Sequence, residues 1–129
     1  MPDAPIAWGE LFDKVTILEI KAERIAAPAA LVNVRRELAA LQAIEAAAPA
    51  ADGLATLKAE LAAVNLALWD IEDAIRDHEQ AGDFGDRFVA LARSVYREND
   101  KRAAIKRRIN LLLGSDIVEE KSYAGSQRG

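Results

Sequence analysis

Polar side chains interrupt an apolar stripe in the C-terminal half of the sequence. The apolar positions recur every three or four residues, as on one buried helical face, and are Phe88, Leu91, Val95, Ile105, Ile109 and Leu112. In the gap between the third and the fourth of them, the same face holds Glu98 or Asn99 and then Arg102. Because burying a charge without a partner costs free energy, these side chains either bind one another or line a cavity that receives a ligand.

The facing segment of the preceding predicted helix is interrupted in the same way. It carries Asn65, Trp69 and Glu72, and an antiparallel helical hairpin would bring it opposite the first interruption. Glu98 and Arg102 are also spaced to form an ion pair on one helix. The first interpretation, which we prefer, is therefore a polar network that fixes the helix register, or a partly exposed seam.

A pocket for a small anionic ligand is the second interpretation, and both stay open. Arg102 and Lys106 would contact the anion, the amides of two asparagines would donate hydrogen bonds, and an aromatic ring would stack against the ligand. The candidate ligand-binding residues are Asn65, Trp69, Glu72, Tyr96, Glu98, Asn99, Arg102 and Lys106. The catalytic residues, if the protein has any, are unknown.

Two enzyme chemistries compete with a binding role. An all-helical dicarboxylate site, as in chorismate mutases, needs cations that converge between helices, and Arg24, Arg102 and Lys106 could supply them. This likeness is generic, because it rests on the number of cations rather than on a motif.

The second enzyme chemistry is a magnesium site similar to that of helical nucleotide pyrophosphatases. Glu10 and Asp13 share one helical face, as do Asp70 and Asp73, and paired carboxylates bind Mg²⁺. Such pairs arise easily by chance among 21 acidic residues. We therefore favour a non-enzymatic binding or accessory protein without a cofactor or metal, and Mg²⁺ enters only under the enzyme alternative.

Composition excludes several classes of protein. The 129 residues include no cysteine and one histidine, His78, so disulfides, thiolate zinc sites, thiol nucleophiles and histidine clusters are excluded. No secretory signal is visible at the N-terminus, and no 18-residue window lacks charge. We expect a cytoplasmic protein with no membrane contact.

Positive charge is concentrated in one block of this acidic chain, whose net charge is −4. Residues 93–108 hold seven Lys or Arg against two Asp or Glu. In a helical hairpin this block would face an acidic run on the preceding helix, with Asp70 near Arg97 and Asp73 near Arg93. Because the block is neutralised within the protein in this arrangement, we expect no nucleic-acid partner.

Four segments have the hydrophobic period of an amphipathic helix, and no segment alternates like a strand. Their apolar positions run over residues 11–25, 31–44, 54–75 and 88–112. Pro28 separates the first two, Asp52 is the expected N-cap of the third, and Gly82 its C-cap. The fourth is expected to start at Asp83 or Asp86 and to end at Gly114. The third and the fourth helix are each expected to have about 28 residues.

These segments predict an all-α fold in one domain over residues 1–114. Segments three and four form a long antiparallel hairpin, and the two shorter helices cover it as a small helical bundle. Part of the long stripe remains uncovered, so a second copy or another protein could bury it, and monomer and homodimer both stay open. Residues 115–129 are expected to form a tail whose end is disordered.

The chain resembles an uncharacterised bacterial protein family, a domain of unknown function, over nearly its whole length. Four runs carry the likeness: GELFDKVTILEIK from Gly9, VNLALWDIEDAIR from Val64, LARSVYRENDKRAAIKRRIN from Leu91 and EEKSY from Glu119. The resemblance implies a bacterial, cytoplasmic, stand-alone helical protein associated with surface-polysaccharide synthesis, and no activity or cofactor. Ala7 stands where the family is expected to have a capping serine. Residues 119–123 would dock back onto the bundle, bind a partner or simply pack through Tyr123.

Overall fold

A computed structural model describes residues 5–114, and this part of the chain folds into four α-helices. They are α1 (Trp8–Arg24), α2 (Pro28–Glu45), α3 (Leu54–Ala81) and α4 (Asp86–Leu113). Residues 5–114 contain no strand. The predicted all-α helical bundle is therefore confirmed. The predictions for residues 115–129, including the segment from Glu119 to Tyr123, lie outside the described residues.

Glycine marks both ends of α3 and both ends of α4. Gly82 and Gly114 are left-handed C-caps with φ of 67° and 65°, as expected, and Pro28 opens α2. The predicted N-caps of α3 and α4 are wrong, because Gly53 and Gly85 occupy these positions. Gly53 has a φ of 90°, which aspartate rarely adopts.

Helices α3 and α4 form the long antiparallel hairpin, and α1 lies in the groove between them. Contacts from Gly9 to Asn110 and from Asp13 to Arg102 show that α1 runs antiparallel to α4. Because α4 is antiparallel to α3, α1 runs parallel to α3. The shared core of these three helices consists of Phe12, Leu57, Leu61, Val64, Leu68, Ile105 and Ile109.

Helix α1 is the central element of the bundle, because it contacts all three other helices. Its buried residues lie around most of its circumference and are Gly9, Leu11, Phe12, Asp13, Val15, Thr16, Leu18 and Ile20. Helix α2 packs mainly on α1, joins α3 through an ion pair between Glu45 and Lys58 at 2.7 Å, and buries none of its own residues. It therefore lies at the periphery of the bundle.

The hairpin extends beyond α1. Helix α1 has 17 residues and α3 and α4 have 28 each, or roughly 25 Å against 42 Å at 1.5 Å per residue. None of residues 69–104 is buried. We call residues 71–97 the distal arm; within residues 5–114 no third helix packs on this two-helix projection. None of the four helices is long and apolar enough to cross a membrane.

Candidate functional site

A buried carboxylate, that of Asp13, lies where α1 meets α3 and α4. Asp13 is 2% exposed. Arg102 of α4 donates from Nε to Asp13 Oδ1 at 2.8 Å and from Nη2 to Asp13 Oδ2. This two-point contact is the strong form of an arginine–carboxylate pair, since both hydrogen bonds are charge-assisted. It joins two helices at positions 89 residues apart in the sequence.

Asn65 connects this ion pair to α3. Its Nδ2 donates to Asp13 Oδ1 at 3.0 Å and to Thr16 Oγ1 at 2.9 Å. The Thr16 hydroxyl in turn donates to the backbone carbonyl of Asp13 at 2.8 Å. Asn65 and Thr16 are 5% and 0% exposed, so both polar side chains are buried together with their partners.

Lys106 adds a second cation one turn further along α4. Its ammonium pairs with Glu10 Oε1 and lies 4.0 Å from Asp13 Oδ2. The Lys106 side chain is 10% exposed, whereas that of Glu10 is 35% exposed. The Glu10 pair is therefore the outer, partly hydrated ion pair of the group.

The first turn of α1 is capped by a side chain of α4. Ala7, the N-cap residue, has no side-chain acceptor, and the first N–H groups of a helix need one. Asn110 Oδ1 accepts a hydrogen bond from the Gly9 backbone N–H at 2.6 Å. A Cβ at Gly9 would clash with the Lys106 carbonyl oxygen and lie 2.9 Å from Asn110 Oδ1. Only glycine lets α1 approach α4 this closely.

Opposing effects set the pKa of Asp13. Burial alone would raise it, because desolvation disfavours the charged carboxylate. Hydrogen bonds from Arg102 and Asn65, together with the positive charges of Arg102 and Lys106, outweigh burial and hold the pKa below its ordinary value. Asp13 is therefore charged at neutral pH and attracts Arg102 and Lys106 of α4.

These residues form one closed polar cluster, whose members are Gly9, Glu10, Asp13, Thr16, Asn65, Arg102, Lys106 and Asn110. Its two carboxylates balance its two cations. Within residues 5–114 every buried side-chain nitrogen or oxygen has a hydrogen-bond partner. The geometry therefore agrees with the preferred interpretation, a network that fixes the register of α1, α3 and α4.

A pocket of about 320 Å³ lies against this cluster. Asn99, Arg102, Ala103 and Lys106 line it, and we call it the α4 pocket. Their spacings of three, one and three residues place all four on one face of α4. The Asn99 side chain is half-buried and forms no hydrogen bond within residues 5–114. The pocket thus presents an amide beside a guanidinium and an ammonium group.

The candidate ligand-binding residues do not form one site. Asn65, Arg102 and Lys106 belong to the polar cluster, and Asn99 lines the α4 pocket. Trp69 is half-buried, Glu72 is exposed and Tyr96 is 74% exposed, and none of these three lines that pocket.

The predicted ion pair between Glu98 and Arg102 is wrong. Glu98 binds Lys101 at 2.9 Å, and Arg102 turns away from its own helix towards Asp13. A buried carboxylate attracts the guanidinium more strongly than a partly exposed one on the same helix, because the surroundings screen the charges less.

Asp13, the centre of the cluster, was not predicted as a ligand-binding residue. The spacing of Glu10 and Asp13 suggested only a magnesium site, whereas both residues bind cations of α4. A signal was available: Gly9, Asp13 and Thr16 are spaced by four and three residues, so they share one face of α1. A face with a glycine and two small polar residues indicates close packing against another helix.

The carboxylate pair of α3 does not form a shared site either. Asp70 binds Arg24 at 3.2 Å rather than the expected Arg97, and Asp73 binds Arg76 of its own helix. Within the described residues, no group of three or more Asp, Glu or His could hold a metal ion. Arg24, at the far end of α1, does not converge with the cations of the cluster as a dicarboxylate site would require.

Comparisons with known proteins identify the family of the chain. No curated protein and no solved structure matches it. A family model described as a family of unknown function (DUF6165) matches residues 3–127, nearly the entire sequence, and the chain therefore belongs to this family.

Proposed function

We propose that the protein is a non-enzymatic binding or accessory protein that takes a small anionic ligand in the α4 pocket. The observation that carries the proposal is the amide of Asn99, which has no hydrogen-bond partner within residues 5–114, beside Arg102 and Lys106. A volume of about 320 Å³ suits a small metabolite, since ligand pockets start at roughly 300 Å³. The ligand class is a phosphate- or carboxylate-bearing molecule.

The polar cluster prepares this pocket for an anion. Asp13 and Glu10 hold the two cations from the α1 side, so neither long side chain needs to be ordered when a ligand binds. Preorganised donors bind more tightly because the entropy of fixing them is lost during folding instead. Asn99 supplies an additional N–H donor. An oxyanion that accepts this hydrogen bond should therefore bind more tightly than a counter-ion that is held by charge alone.

Titration calorimetry with inorganic phosphate, pyrophosphate and citrate tests the proposal. Asn99→Asp keeps the shape of the side chain and adds a negative charge in the pocket, so we expect binding to weaken at least about tenfold, or 1.4 kcal/mol. Asn33→Asp makes the same change on an exposed position of α2 and should leave binding unchanged. Equal losses in both variants, or no binding of any probe at millimolar concentration, would overturn the proposal.

Product analysis separates this role from catalysis. We expect no turnover when the protein is incubated with nucleoside triphosphates and Mg²⁺, or with chorismate. Formation of a product from any of these substrates would replace the binding role with an enzymatic one.

We further propose, from the family resemblance, that the protein acts in the bacterial cytoplasm as an accessory to surface-polysaccharide synthesis. Phosphate-bearing sugar donors belong to the ligand class that the α4 pocket suits. Deletion of the gene is expected to change the amount or composition of the surface polysaccharide. An unaltered polysaccharide in the deletion strain would refute this role.

A further inference from the structure

The groove that holds α1 continues along the distal arm without α1. Helix α1 contacts α3 through Asn65 and α4 through Arg102. Seven residues are about two helical turns, so positions seven residues apart lie on the same face. On α4 the same face continues through Val95 and Phe88, both half-buried, and on α3 it continues through Glu72 and Glu79, both exposed.

The distal arm therefore has an apolar floor and an acidic edge. Ile75 of α3 lies seven residues beyond the core residue Leu68 and is half-buried. At the tip, Phe84 is 57% exposed and packs edge-on against Phe88 with ring centroids 5.1 Å apart. These contacts order the tip, and no helix of the described part of the chain covers the floor of the groove.

Helix α2 presents exposed apolar side chains and an exposed pair of arginines. It buries no residue, and its exposed side chains include Val32 and Ile44, at 55% and 52% exposure. Arg35 and Arg36 are exposed and form no ion pair within residues 5–114. Glu72 and Glu79 on the distal arm likewise form none within the described chain. The arginine pair of α2 thus complements the two glutamates of the arm.

We infer that two copies of this chain form an antiparallel dimer in which α2 of each copy lies in the distal groove of the other. The two copies are complementary in shape. The thick half of one copy, where α1 and α2 pack on the hairpin, faces the distal arm of the other copy. A two-fold axis makes both contacts at once, as in an isologous dimer. Arg35 and Arg36 of one copy then meet Glu72 and Glu79 of the other.

Sedimentation velocity on the full chain tests the dimer through paired charge reversals. One variant carries Arg35→Glu and Arg36→Glu, and the other carries Glu72→Arg and Glu79→Arg. Each variant alone places like charges at both contacts, so we expect its dimer to dissociate at least tenfold more readily than the wild type. Mixed together, the two variants restore opposite charges at both contacts, and a heterodimer should form with near wild-type affinity.

A matched control and the folding state complete the experiment. The control variant carries Arg93→Glu and Arg97→Glu, which is the same change in charge. Both positions lie on an exposed face of α4, together with Asp100 and Ala104, so this variant should not alter the dimer. Circular dichroism must show native helicity in all variants. A wild-type chain that stays monomeric at high concentration overturns the inference. A mixture that fails to associate, although each variant is folded, also overturns it and points to another partner.

Discussion

The guanidinium of Arg102 and the carboxylate of Asp13 form a two-point ion pair that joins α4 to α1 in the interior of the bundle. Asn65 adds a contact from α3 to the same carboxylate. One buried charge therefore positions three helices. Removing a single partner from such a pair leaves the other charge buried without compensation, which typically costs about 3–5 kcal/mol.

The depressed pKa of Asp13 predicts a specific acid sensitivity. The unfolded carboxyl titrates near its ordinary pKa of 3.8, and the folded one titrates lower. As the pH falls, the unfolded state therefore takes up its proton first, and the stability that Asp13 contributes is lost between the unfolded and the folded pKa. We expect the free energy of unfolding, measured by urea denaturation, to fall with pH below roughly pH 5.

Two amide variants show whether Asp13 causes this dependence. Asp13→Asn removes the titrating group and should flatten the slope, although it also lowers stability at neutral pH. Asp52→Asn makes the same change at an exposed position and should keep the wild-type slope. An unchanged slope in Asp13→Asn would assign the acid sensitivity to other carboxylates.

Gly9 provides a test of the close approach between α1 and α4. Gly9→Ala places a Cβ against the Lys106 carbonyl oxygen and 2.9 Å from Asn110 Oδ1, both of which are fixed by the packing. We expect a loss of about 1–3 kcal/mol in the free energy of unfolding, as for other overpacked interiors.

An exposed position on the same helix gives the reference for this substitution. At Lys14, which is exposed, alanine should be more stable than glycine by about 1 kcal/mol because of helix propensity. The order of alanine and glycine should reverse at position 9. If the Gly9→Ala variant is as stable as the wild type, or more stable, then α1 and α4 can move apart without a loss of stability, and the prediction is wrong.

The helices could be predicted from the sequence because their hydrophobic period is long and regular. All four were expected, and the ends at Gly82 and Gly114 were identified because glycine tolerates the left-handed C-cap. The starts of α3 and α4 were assigned to Asp52 and to Asp83 or Asp86, since short polar residues commonly cap helices. Backbone geometry instead places Gly53 and Gly85 there, and Asp83 Oδ1 accepts a hydrogen bond from the Gly85 N–H at 3.2 Å.

The site was predicted in part. Arg102 was identified because it breaks an apolar stripe, and a break is visible in one sequence. Its partner was missed because Asp13 lies off the apolar stripe chosen for α1, and a polar residue off the stripe normally faces solvent. Helix α1 is covered on three sides, so this assumption fails for it. Which helix occupies the centre depends on long-range contacts that periodicity does not encode.

A double-mutant cycle between Asp13 and Arg102 tests most directly whether Asp13 holds Arg102 in place before any ligand binds. The variants are Asp13→Asn, Arg102→Gln and the double variant, each measured by chemical denaturation without any added anion. We predict strong destabilisation by each single change and a coupling energy of about 2–3 kcal/mol between them. Additive effects of the two changes, or an Arg102→Gln variant that keeps wild-type stability, would contradict the account.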